Sequence, residues 1–153
     1  MSKIESVGCY VLVTGASGAI PRNDIARQEA HARLYYDEIR KRSGDIEAIS
    51  HNSGFAVDEI KKIKGHMFLN RYDLGESEPS YFDPNYDMAV SWQRLIEGKN
   101  IQEMDIIMLR HELMEYELMN NQGMSYRAAH EKTELSYNYS HFVKELDRKE
   151  GLF

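Results

Sequence analysis

From residue 23 almost to its end, this chain repeats apolar residues at helical spacing, and glycines at 44, 54, 98 and 123 cut that periodicity into helix-length segments. After Pro21 no stretch shows the two-residue alternation of a half-buried strand, so a bundle is favoured over a sheet. The 153 residues, 42% of them hydrophobic, suffice for one ordinary core. The expectation is an all-α fold, a compact bundle of about six helices forming a single domain over 23–153. Residues 1–22 would be an N-terminal arm or short strand.

Asn23 or Asp24 caps a first helix whose apolar set is Ile25, Ala32, Tyr35, Tyr36 and Ile39; it ends in Arg40-Lys41-Arg42, where cations suit the helix dipole. Asp45 caps a short second helix stopped at Gly54. A third is expected over 56–68, and 74–84 reads as a loop anchored by Tyr81 and Phe82. Asp83-Pro84 opens a fourth helix, closed by Gly98. A long fifth helix spans 101–122, and a sixth spans 125–146, bent near Ser136. The last two form a helical hairpin around Gly123.

Residues 11–20, VLVTGASGAI, resemble the opening of a nicotinamide-binding Rossmann domain. The third glycine of that fingerprint is replaced by Pro21, and the alternating strands and helices it requires do not follow. Composition narrows the remaining classes. A formal net charge of −6 argues against a polyanionic partner, because counterion release needs a positive face. The single cysteine, Cys9, allows no intrachain disulfide and favours a reducing compartment. No apolar run approaches the roughly 20 residues of a membrane helix. A cytoplasmic protein with no membrane partner is expected.

Two constellations carry chemistry. The first, DIEAISHNSGFAVDEIKKIK over 45–64, has the form of a helix-turn-helix, with Gly54 at the turn and Ile49, Phe55, Val57, Ile60 and Ile63 inward. Lys61, Lys62 and Lys64, with His66 and Arg71, would offer phosphates a basic face. Asp58 and Glu59, however, occupy the turn where base-reading side chains would stand.

The second is RHELMEYEL. His111 and Glu115 lie one turn apart, on a face shared with Met104, Met108 and Leu118 that points to the core. Polar groups on such a stripe need partners. Counting outward from Gly123 sets His130 opposite Tyr116, with Ala128 and Ala129 allowing close approach, so His111, Glu115 and His130 converge. Two imidazoles and one carboxylate leave an open position on Zn²⁺, where bound water becomes a nucleophile. Glu112 would be the general base, the role glutamate plays in His-Glu-x-x-His, although Glu115 replaces the second histidine here. His66 is a further candidate ligand. The alternative is a buried hydrogen-bonded cluster with Arg110, Arg127 or Tyr137. Five of the eight methionines, at 104, 108, 114, 119 and 124, fall in or just after this helix, where flexible thioethers fill gaps.

The segments YYDEIRKRSGDIEAISHNSGFAVDEIKKIKGHMF, YFDPNYDMAVSWQRLIEGK and LRHELMEYELMNNQGMSYRAAHEKTELSYNYS together resemble a domain at the C-termini of Gram-positive phage head-morphogenesis proteins and of toxin-like proteins. The likeness covers about 32–144 and centres on Phe82-Asp83-Pro84, Trp92-Gln93-Arg94-Leu95, His111-Glu112 with Glu115, and Ala129-His130. It implies a zincin-like site uniting His66, His111, Glu112, Glu115 and His130, and phage head or toxin-related proteins as partners. The leading expectation is a metal-dependent, peptidase-like hydrolase acting on a peptide substrate. A non-enzymatic phage-related interaction module is the alternative, and a helix-turn-helix nucleic-acid-binding protein the second. A homo-oligomer is left open.

Overall fold

A computed structural model describes residues 20–152; the glycine motif up to residue 19, its expected strand and Cys9 lie outside them. The described residues form seven α-helices: α1 (Ile25–Lys41), α2 (Asp45–Ser53), α3 (Val57–Lys64), α4 (Tyr86–Glu97), α5 (Glu103–Asn120), α6 (Tyr126–Glu134) and α7 (Tyr139–Lys149). Among them there is no strand, only an antiparallel bridge between Tyr72 and Ser80 that closes the long loop before α4. Ile20 packs with Ala32, Tyr86 and Val90, while Arg22 joins Asp87 on α4 to Asp147 on α7.

Local chemistry sets most helix ends where the sequence puts them. The Asp24 carboxylate accepts from Arg27 N, and Asn85 accepts from Met88 N at the start of α4. Gly98 ends α4 at φ +70°, a conformation that costs glycine little. Against it lies the Asn52 amide, which donates to the carbonyls of Leu95 and Ile96 and so ties α2 to the end of α4. A Cβ at residue 98 would stand 2.9 Å from that amide.

Three expectations need correction. The third helix does not continue smoothly to Phe68: Gly65–Leu69 is a π-helical turn, closed by Asn70 N donating to Gly65 O. The expected sixth helix is two helices. Leu135–Asn138 breaks it, and Asn138 starts α7 afresh by accepting from His141 N. Asp45 is not a cap; it lies inside α2, buried, where one oxygen meets Lys64 Nζ at 2.9 Å and the other accepts from Trp92 Nε1. Lys64, whose ammonium also donates to Arg42 O, is therefore buried. Lys64 and His66 leave the expected basic face, where Lys61 and Lys62 remain exposed.

The main core joins Tyr35, Tyr36 and Ile39 of α1 to Ile49, Ile60, Ile63, Phe68, Trp92, Leu95, Met108 and Leu109. Helix α5 lies at the centre, touching α3, α4, α6, α7 and the π-helical turn. Polar residues on its inner face are thus forced to find partners on three sides.

Candidate metal centre

His111, Glu112 and Glu115 are all buried on α5. The short link through Gly123 folds α6 back along α5, and the buried Ala129 lets His130 reach the same level. The π-helical turn brings in His66 from the other side, wholly buried. Everything meets at Glu115. Its Oε2 lies 2.8 Å from His130 Nδ1 and 3.2 Å from His111 Nε2, and its Oε1 lies 2.8 Å from His66 Nε2.

His111 and His66 are each oriented by a group on the far side of the ring. His111 Nδ1 is 2.8 Å from the carbonyl oxygen of Tyr137 and 3.3 Å from Glu134 Oε2. Neither oxygen donates, so Nδ1 bears a proton; Nε2 donates to Glu115 when the ring is charged and offers its lone pair to the centre when the ring is neutral. His66 Nδ1 meets the Tyr72 hydroxyl at 2.8 Å. His130 is the open edge, with 39% of its side chain exposed.

The two carboxylates behave differently. Burial would raise the Glu115 pKa, but hydrogen bonds from His111 and His66 hold it down, at about 2. Burial raises that of Glu112, and the neighbouring Glu115 charge adds to it, to about 7. Burial would lower His111, yet the Glu115 hydrogen bond, the Glu112 charge and the Tyr137 carbonyl lift it to about 9. Among the described residues Glu112 accepts no hydrogen bond: Oε1 is 3.9 Å from His66 Nε2 and Oε2 is 3.8 Å from His111 Nε2.

The centre opens on a cavity of about 520 Å³ lined by Glu112, Glu115, His111 and His130, with Phe82, Tyr126 and Tyr139 among its aromatic walls. Glu76, Asp83 and Glu134 add carboxylates, and among the described residues no lysine or arginine lines it. Two sets of ligand atoms, each within 4.8 Å of one another, are able to hold a metal ion: His111, Glu115 and His130, and His66, Glu112 and Glu115.

All five expected residues thus come together, while the expected arginines do not. Arg110 lies over the Phe55 ring, and Arg127 pairs with Glu131 at the surface. Tyr137 takes part through its backbone carbonyl. Sequence reasoning missed Glu134 and Tyr72. Glu134 follows His130 by one helical turn, a spacing that marks a shared face, whereas Tyr72 arrives from a loop with no periodicity to announce it. No family model, curated protein or solved structure matches this chain.

Proposed function

We propose that this chain is a metal-dependent hydrolase of peptide bonds, with zinc held by His111 Nε2, Glu115 Oε2 and His130 Nδ1. The observation that carries this reading is the His111 ring, whose outward nitrogen is pinned by a carbonyl while its inward nitrogen faces a shared carboxylate. Metal-ligating histidines are oriented in this way. The three donors are spaced 2.8–3.2 Å along their Glu115 contacts, so a small opening admits an ion at about 2.0–2.2 Å from each. Zinc in an N₂O set supplies Lewis acidity and brings the pKa of water to about 7.

The other steps belong to the chain. Glu112, buried beside the ligands, without a hydrogen bond among the described residues and facing the cavity, takes the proton of the attacking water and returns it to the leaving amine. The aromatic walls hold an extended segment and limit water. A cavity lined by carboxylates repels phosphates, so peptide is favoured over nucleic acid as the substrate. The likeness to phage head-morphogenesis and toxin-associated domains supplies the context of a phage-derived processing domain.

One observation favours a second reading. Glu115 already receives contacts from three imidazoles, which suits a metal-free ionic network in a phage-related interaction module. Elemental analysis and peptide-cleavage assays separate the two. Stoichiometric zinc, lost in His111→Ala, with cleavage lost in Glu112→Gln while the ion held by His111, Glu115 and His130 is retained, is expected. Metal-free protein that takes up no added zinc overturns the proposal.

A further inference from the structure

Resting on the metal reading above, the same centre holds more ligands than one ion uses, and they sort by the oxygen of Glu115 that they face. His111 and His130 meet Oε2, whereas His66 meets Oε1. Glu112 divides its own oxygens in the same sense, Oε1 towards His66 and Oε2 towards His111. We infer that the centre takes two divalent cations bridged by the Glu115 carboxylate, the second held by His66 Nε2, Glu112 and Glu115 Oε1.

The independent observation is Glu112 itself. Its side chain is 8% exposed, and its oxygens stop 3.8–3.9 Å from two imidazole nitrogens. That gap is too long for hydrogen bonds and suits donors shared with a cation between them. Among the described residues this mostly buried carboxylate has no hydrogen-bond partner, and a cation in the cavity it faces would supply the missing counter-charge. The Tyr72 hydroxyl accepts from the Asn70 and Asn120 amides, so its proton goes to His66 Nδ1 and Nε2 donates to Glu115. Rotating the Asn70 amide lets the hydroxyl donate to it and accept from Nδ1, which frees the Nε2 lone pair for a cation. The π-helical turn that carries His66 is the kind of helix irregularity that recurs at functional sites. Glu112, Glu115 and Glu134 together with one hydroxide match the charge of two divalent ions. In the doubly loaded state Glu112 would be a ligand. Its role as general base belongs to the singly loaded state.

The test uses the full chain, stripped of metal and titrated with zinc for stoichiometry and with cobalt(II) for electron paramagnetic resonance. Two zinc ions per chain are expected, with a cobalt signal that weakens as the second equivalent binds, because ions about 3.5–4 Å apart couple magnetically. His66→Gln should bind one ion and give the signal of isolated cobalt. One zinc per chain in the unaltered protein overturns the second site and leaves the hydrolase proposal standing, whereas no zinc overturns both. Two ions without magnetic coupling, or two coupled ions retained in His66→Gln, also overturn the bridged pair; the stoichiometry of the unaltered chain decides the matter if that variant does not fold.

Discussion

His111 Nδ1 lies 2.8 Å from the backbone carbonyl of Tyr137, a contact that joins the central helix to the break between α6 and α7. Because that carbonyl only accepts, the imidazole is either a metal ligand through Nε2 or, without metal, an imidazolium against Glu115. Zinc at about a hundredfold excess over its Kd should stabilise the chain by about 2.7 kcal/mol. His111→Ala should abolish the gain. Thermal melts with zinc and with a chelator read both effects; an equal rise in the variant would place zinc elsewhere.

Without metal, the centre contributes to the pH dependence of stability through three groups. The Glu115 contribution is present above the unfolded value of 4.5 and is lost as pH falls towards about 2. That of His111 is full below 6.5 and is lost as pH rises through about 9. Glu112 keeps its proton to about 7 when folded, so it removes stability between 4.5 and 7. The metal-free chain should be most stable near pH 4.5 and weaken steadily towards 9. Bound zinc should flatten the alkaline side, since it replaces the His111 proton. Urea midpoints across this range, with and without zinc, provide the check, and a metal-free profile level from pH 5 to 9 would contradict it.

Lys64 and its neighbours on α3 should respond in opposite ways. Lys64→Met strands the buried Asp45 carboxylate and should cost about 3–5 kcal/mol in denaturant unfolding. Lys61→Glu and Lys62→Glu, at exposed positions, should leave stability nearly unchanged. Duplex DNA at low salt should bind neither the parent chain nor these two variants in a mobility-shift assay.

Gly98→Ala should destabilise by more than about 1 kcal/mol, because a side chain there meets both a positive φ and the Asn52 amide. Asn52→Ala should also destabilise, by releasing the carbonyls of Leu95 and Ile96. The double variant should lose less than the two losses combined, as neighbours that clash do not act independently. Strict additivity in equilibrium unfolding would refute the contact.

The convergence of His111, Glu115 and His130 was legible because His111 and Glu115 stand one helical turn apart among the buried Met104, Met108 and Leu118, and the hairpin at Gly123 fixes a count. That count set His130 against residue 116, one position from its partner Glu115. The helix break was hidden. Leu135 continues an apolar pattern yet is 88% exposed, and the cap that restarts the helix is an asparagine that the pattern absorbs. Lys64 looked like a surface lysine because its partner, Asp45, sits 19 residues earlier and reads as a cap. The π-helical turn left no signature, since the helix ends with it at Leu69 and no further turn follows to reveal the shift in apolar spacing.

The break at Leu135–Asn138 also shapes what inheritance can preserve. In an unbroken helix the Tyr137 carbonyl would bond the amide of residue 141, which Asn138 serves instead. Any descendant that keeps His111 working must therefore keep a stop in its last helix 26 residues downstream. Drift that made this segment a better helix would silence the site while leaving every ligand in place.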